Sequence, residues 1–279
     1  MDEEVRIVYP RNVTKQKLKN GEHVFGISIG EMRSITLPKI LAGLGFDFLF
    51  LDMEHGAEGW ETISELVWAS RCAGIAPIVR VPDTERFYIS RALDIGAQGV
   101  IVPRVETGEQ VDTIVGYCKY PPEGDRGAAL GGRHSEFQPI GDPRTAMQQA
   151  NDEILVCIQI ETLPGLNRVE ELASRPGVDV LFVGPQDMSI ALGFPNEWKS
   201  AALDEAIRKV VSAAERTNRQ VGIQGRNVEL STRWMGYGVR FVVFGSTLML
   251  LTEAARAGMQ DLRRVAAAGQ REALRVGAK

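Results

Sequence analysis

Four short stretches of this 279-residue chain carry groups that could do chemistry together. They are Asp52-Met53-Glu54-His55-Gly56, Arg80 within VRVP, Gln159-Ile160-Glu161, and Gly184-Pro185-Gln186-Asp187. Glu161 and Asp187 stand in successive stretches with no His or Cys beside them. Two such carboxylates make a hard oxygen site, suited to Mg²⁺ or Mn²⁺ rather than to a closed structural Zn²⁺ site. Taken singly, each could instead be a helix cap or a surface acid. His55 is flanked by Asp52 and Glu54. A carboxylate can orient an imidazole and stabilise its charged form, so that a base works near neutral pH. The plain alternative is a packing histidine. Arg80 reads as a surface arginine or as a fixed bidentate donor for a carboxylate or a developing enolate oxygen. Arg126, in PPEGDRG, stays open between a second anion contact and an ordinary loop charge.

The elements that must position these groups are legible as alternating patterns. Near-continuous apolar runs occur at residues 23–30, 46–54, 76–82, 99–105, 154–160, 178–184, 220–225 and 240–245. Such runs fit parallel strands covered on both faces. Helical stretches follow each in turn: Ser34–Leu44, Trp60–Ala73, Thr84–Ile95, Gly108–Lys119, Leu166–Ser174, Ala202–Asn218, Val228–Tyr237 and Thr247–Ala267. Gly45, Gly74, Gly96 and Gly238 stand just past helix ends, where a left-handed terminator is wanted.

Eight strand–helix units predict an α/β fold, a (β/α)₈ TIM barrel. We expect one domain over 1–279, with an N-terminal helix about 12–20, the barrel about 23–260 and a C-terminal helix about 261–279. An open doubly wound sheet would usually carry a glycine-rich fingerprint after its first strand, and ISIGEMRS is not one. Barrel enzymes place their sites at the C-terminal ends of the strands. The four chemical stretches all fall there. Desolvating that many charges costs several kcal/mol unless they are paired or bind a metal. The long connection after the fourth helix, residues 120–152, predicts a functional or mobile loop.

Composition excludes several classes. The chain is 44% hydrophobic and 24% charged, with a net charge of −4. Mild acidity argues against a nucleic-acid binder. The N-terminal residues are acidic where a signal peptide is basic, and no run nears roughly 18 apolar residues, so we expect a cytoplasmic protein without a membrane span. Cys72, Cys118 and Cys157 are widely spaced and read as small buried hydrophobes in a reducing compartment. His23 precedes the first strand and His134 lies in the long loop. No lysine falls in a predicted strand, which disfavours a Schiff-base aldolase and favours a metal as the electron sink.

The pieces FDFLFLDMEHG, IVRVP, GAQGVIVPRVET, YPPEGDRG, IQIET and GVDVLFVGPQDMS occur in this order. Together they resemble the HpcH/HpaI family of class II pyruvate aldolases, over roughly residues 20–260. The resemblance implies a Mg²⁺-, Mn²⁺- or Co²⁺-type site on Glu161 and Asp187. It implies that His55 is the base, acting with a metal-bound water and oriented by Asp52, and that Arg80 stabilises the enolate. Gln159, Glu54, Arg126 and the backbone around Gly184, Pro185, Gln186 and Asp187 join the substrate-binding set. It also implies a homo-oligomer, a hexamer, with a C-terminal helix packing on a neighbour. The chain departs from the family pattern at Gln186-Asp187-Met188, at Arg104, where many members are neutral, and over Gly131–Phe137. These departures bear on the aldehyde more than on pyruvate.

The expected activity is reversible cleavage of a 4-hydroxy-2-oxo acid to pyruvate and an aldehyde through a metal-bound enolate. Oxaloacetate decarboxylation or enolate condensation on the same site is the alternative. A non-catalytic barrel that binds a 2-oxo acid is a third reading.

Overall fold

The structure, a computed structural model, describes residues 9–276, with side chains to residue 268. The chain opens with α1 (Val13–Lys19), β1 (Val24–Ile29), α2 (Leu37–Gly43), β2 (Phe48–Asp52), α3 (Trp60–Ala73) and β3 (Ala76–Arg80). It continues through α4 (Arg86–Asp94), β4 (Gly99–Val102), α5 (Gly108–Cys118), α6 (Pro143–Glu153), β5 (Leu155–Ile160), α7 (Leu163–Asn167) and α8 (Val169–Ser174). The last third holds β6 (Val180–Val183), α9 (Pro185–Ala191), α10 (Ala201–Arg216), β7 (Gln220–Gly225), α11 (Val228–Met235), β8 (Phe241–Ser246) and α12 (Thr247–Val276). The strands pair in sequence order, all parallel, and β8 closes on β1. This is the (β/α)₈ barrel that the periodicity predicts.

Two apolar layers hold it. Leu49, Leu51, Val79, Val100, Ile158, Ile160 and Leu181 face outward from the strands into the helices. Phe48, Phe50, Phe182 and Phe241 fill the barrel interior with Ile78, Ile101, Leu155 and Val243. The Phe48 and Phe241 rings stack with centroids 4.0 Å apart. Phe48 fits only because β1 presents Gly26 beneath it, where a β-carbon would collide with the ring.

The N-terminal end of the barrel is sealed by α1. Asn12 caps this helix through Lys15 N–H at 3.0 Å, satisfying one of its free donors. Leu18 plugs the interior. Lys17 pairs with Asp47 at 2.6 Å, and Lys15 pairs with Asp179 at 3.0 Å while donating to Ile154 O at 2.6 Å. Asp47 and Asp179 immediately precede β2 and β6, so these pairs tie α1 across the barrel floor.

Several details differ from the sequence expectation. The long connection is not all loop: Asp142 caps α6, which occupies its last third. An αβ connection necessarily lies at the N-terminal face of a parallel barrel, so this segment sits away from the strand ends that carry the chemistry. The predicted eighth and C-terminal helices are one continuous α12. Residues 277–279 of the expected C-terminal helix, and residues 1–8, lie outside the described residues. Cys118 and Cys157 are buried, but Cys72 is exposed on α3. Among the described residues no helix is long and apolar enough to cross a membrane.

The eighth helix also fails to close over the barrel. From Leu251 to Ala268 every side chain of α12 is exposed, including Met259, Leu262 and Val265. A cleft of about 440 Å³ stays open, lined by Phe25, Leu44, Phe46, Val228, Met235 and Phe244.

Gly26→Ala is expected to cost about 1–3 kcal/mol by overpacking, read as a lower urea midpoint. Adding Phe48→Leu should recover part of that loss, because the two positions touch.

Candidate active site

β2 and β3 end side by side, with Asp52 in register with Arg80. Arg80 donates from Nε to Asp52 Oδ1 at 2.9 Å and from Nη2 to Oδ2 at 2.5 Å. Its Nη1 lies 3.1 Å from Glu54 Oε2, and its guanidinium sits over the Phe50 ring, 5.1 Å from the centroid. The Arg80 side chain is thus held through all three nitrogens, while two of its five N–H groups remain for a ligand. Asp52 Oδ1 also accepts the backbone N–H groups of Glu54 and His55, at 3.0 and 3.3 Å. Burial pushes the Asp52 carboxyl up, but the Arg80 hydrogen bonds and charge outweigh it and hold the group below its ordinary range.

His55 stands at the mouth, its side chain 65% exposed. Its Nε2 lies 3.8 Å from Glu54 Oε2. Asp52 does not touch the ring. Its carboxylate is committed to Arg80 and to the turn that carries His55, so in this chain it positions the backbone and Glu54 is the acid beside the imidazole.

β5 runs directly into Glu161, which is buried, and β6 runs through Gly184 into the first turn of α9, which carries Asp187. Glu161 Oε1 accepts the backbone N–H of Arg104 at 2.9 Å, and its Oε2 accepts from Gln159 Nε2. Gly184 makes room: a β-carbon there would collide with Glu161 Oε2 and crowd Gln159 Nε2. Burial raises the Glu161 proton affinity most, and the charges of Glu54 and Asp187 raise it further against the Gln159 hydrogen bond. Glu54 is raised in the same way, by burial first and by Asp52 and Asp187, against the charges of Arg80 and His55. These groups therefore share one electrostatic neighbourhood.

A divalent cation fits this donor set. Glu161 and Asp187 supply carboxylate oxygens that repel each other, and Gln159 Oε1 is a buried acceptor without a partner. All are hard oxygen ligands of the kind Mg²⁺ and Mn²⁺ take. Among the described residues no group of three or more His, Cys, Asp or Glu side chains could hold a metal. The set is two protein carboxylates, with positions left for water and substrate.

The structure brings together Asp52, Glu54, His55, Arg80, Gln159, Glu161, Gly184, Pro185, Gln186 and Asp187. It does not bring Arg126 to them. Arg126 lies on the connection after α5, buried at the opposite end, 2.7 Å from Asp94 Oδ1 and over the Tyr120 ring at 4.7 Å. In this chain it ties that connection to α4 rather than meeting the strand ends. His134 is buried beside Tyr9 in the same cluster, and burial lowers its proton affinity. Lys119 has the property a Schiff-base amine needs, pushed down to about 8 by burial and by Lys15. It is in the wrong place, donating to Asn151 O and Ile154 O at the barrel floor. Sequence reading missed one contributor, the Arg104 N–H. Arg104 takes a positive φ of 54° to aim it at Glu161, and a non-glycine residue in that conformation leaves no local signature.

Because the folded protein binds the Glu161 proton more tightly than the unfolded chain, stability falls as pH rises through the folded value. Glu161→Gln should therefore raise the Tm of metal-free protein near neutral pH. The gain should vanish on acidification below the ordinary carboxylate range, where wild-type Glu161 is protonated in both states. Mn²⁺ should stabilise wild type and not Glu161→Gln.

Known proteins place the chain. It is 32% identical over 258 residues to a hydroxypyruvate/pyruvate aldolase of Paraburkholderia phytofirmans, covering 90% of this chain and 98% of that one. The crystal structure of an HpcH/HpaI aldolase from Desulfitobacterium hafniense superposes with a TM-score of 0.85 at 28% identity, over 89% of this chain and 96% of that one. That of the citrate synthase SbnG superposes with a TM-score of 0.80 at 27% identity, over 90% and 98%. The profile of the HpcH/HpaI aldolase/citrate lyase family matches residues 32–277, and with Arg80, Glu161 and Asp187 converging on one rim of the same barrel, the chain belongs to that family.

Proposed function

We propose that this protein is a divalent-metal-dependent pyruvate aldolase, reversibly cleaving a 4-hydroxy-2-oxo acid to pyruvate and an aldehyde. One observation carries the reading: Arg80, held by Asp52 and Glu54, and the Glu54–Glu161–Asp187 acids share a single electrostatic neighbourhood at the strand ends. Likeness to an aldolase over nearly the whole chain supports it.

Glu161 and Asp187 would hold Mg²⁺ or Mn²⁺, with Co²⁺ as a further fit. Such an ion supplies Lewis-acid charge toward the 2-oxo group. The chain's own residues do the rest. The Gln186 and Asp187 N–H groups, in the first turn of α9, have no intrahelical partner and receive the substrate carboxylate. Arg80 faces the 2-oxo oxygen and stabilises the negative charge that develops there. His55, at the mouth beside Glu54, takes the proton from the 4-hydroxyl, directly or through water. As that proton leaves, the C3–C4 bond breaks, its electrons pass into the 2-oxo group to give the enolate, and the aldehyde departs; C3 then takes a proton back from His55 or water, and pyruvate leaves. Asp52 keeps Arg80 in position throughout.

The likeness to a citrate synthase favours a second reading, in which the same enolate condenses with another acceptor. Oxaloacetate decarboxylation would draw on the same groups. Products from oxaloacetate alone, against those from pyruvate plus aldehydes, separate these readings.

We infer a homo-oligomer, a hexamer, as the family resemblance implies. The open cleft beside β1 and β8 lies where the eighth helix of a closed barrel would pack. The apolar stripe on α12 is the chemistry that would fill it from a second copy.

Deuterium exchange into pyruvate, run with a panel of metals, tests enolate formation without an acceptor. Exchange should require metal and stop with EDTA; exchange surviving thorough chelation would falsify the reading. Asp187→Ala should lose Mn²⁺ binding, while His55→Ala should keep the ion and lose about 10²–10⁴-fold in turnover. Equal loss of metal in both would make this division of roles wrong. Leu251→Asp with Leu262→Asp should shrink the assembly in analytical ultracentrifugation, and a wild-type monomer would refute the helix exchange.

A further inference from the structure

We propose that Arg104 determines acceptor specificity, its guanidinium receiving an anionic group, carboxylate or phosphate, carried by the aldehyde. This rests on the aldolase reading above.

Three observations converge on Arg104. It follows β4 at the same rim as the acids, and its N–H lies 2.9 Å from Glu161 Oε1, so its backbone abuts the proposed site. Its φ is 54°, a left-handed conformation that costs a non-glycine residue of order 1–3 kcal/mol unless the surroundings hold it. The hydrogen bond to Glu161 supplies that hold and would suit glycine better, so an arginine here calls for a reason in its side chain. Finally, that side chain is exposed, and its guanidinium makes no ion pair or hydrogen bond among the described residues.

The third observation decides between two uses of a cation. Asp52, Glu54, Glu161 and Asp187 all stand on this rim. An arginine present to balance them would pair with one, as Arg80 does with Asp52 and Glu54. Two other rim cations, after β1 and β7, are engaged: Arg33 lies 3.8 Å from Glu58, and Arg226 lies 5.8 Å from the Trp198 ring centroid. Arg104 is left available. Pyruvate brings its own negative charge to an acidic site, so a second anion would be repelled from this mouth unless a cation met it. A planar guanidinium suits carboxylate and phosphate alike.

The test compares matched aldehydes in condensation with pyruvate: succinic semialdehyde against butanal, and glyceraldehyde 3-phosphate against glyceraldehyde. Arg104→Gly keeps the backbone N–H and accepts the positive φ; Arg104→Lys keeps the charge. Effects on the pyruvate half cancel in the charged-to-neutral ratio of kcat/KM. In wild type at least one ratio should exceed one, and it should fall about tenfold in Arg104→Gly while Arg104→Lys retains most of it. The KM for the charged aldehyde should rise with KCl in wild type and not in Arg104→Gly. The responding pair tells carboxylate from phosphate. Ratios at or below one in wild type, or unchanged in Arg104→Gly, overturn the proposal. Wild type that fails to exchange pyruvate protons under any metal overturns the aldolase reading itself, and this inference with it.

Discussion

The charges of Glu54 and Asp187 reach Glu161 and add to the cost of its burial, so the strand ends of this barrel hold negative charge that free carboxylates would disperse. Everything around the site serves to keep that charge in place. Gln159 and the Arg104 N–H each take one Glu161 oxygen. Gly184 clears the space beside it. Arg80 supplies the counter-charge on the far side and is itself fixed by Asp52. A rim of this kind is unfavourable for the metal-free fold and favourable for binding a cation, which is how a site trades stability for affinity.

The two ends of the barrel divide the buried charge between them. At the floor, Lys15 meets Asp179 and the Ile154 carbonyl, and Arg126 meets Asp94 and the Tyr120 ring. Lys119 donates only to backbone carbonyls there. These groups close the bottom of the barrel and anchor the connection after α5. At the top, the charges are gathered without full compensation. The contrast follows from topology. Each βα turn leaves a strand end open to solvent and to ligand, whereas the αβ turns and α1 must seal the other face.

The outer surface adds a second kind of incompleteness. Beyond its first turn the helix after β8 stays off the barrel, and the apolar cleft it would cover stays open. An aliphatic stripe and an aromatic-lined cleft on one chain are complementary surfaces. In the homo-oligomer proposed above they would meet across a neighbour whose own last helix is displaced in the same way, and one packing defect repeated in each copy would become a shared interface.

Much of this was written in the chain. Apolar runs of strand length alternating with amphipathic stretches specify the barrel, because a strand covered on both faces must be apolar throughout, and each of the eight runs became a strand. Gly45, Gly74, Gly96 and Gly238 mark helix ends and take positive φ, because only glycine does so freely. The strand ends are therefore readable, and with them Arg80, Glu161 and Asp187. Tertiary structure alone decided which groups meet. Asp52 could have oriented His55, but register sets it opposite Arg80, and a guanidinium fork outcompetes a ring on an exposed turn. Arg126 shares a stretch that resembles a family motif, yet topology carries it to the floor. The Arg104 conformation and its bond to Glu161 arise from the packing of β4 against β5, and nothing in the local residues announces them. Composition and period act along the chain; partner choice depends on distances between strands that no single stretch encodes.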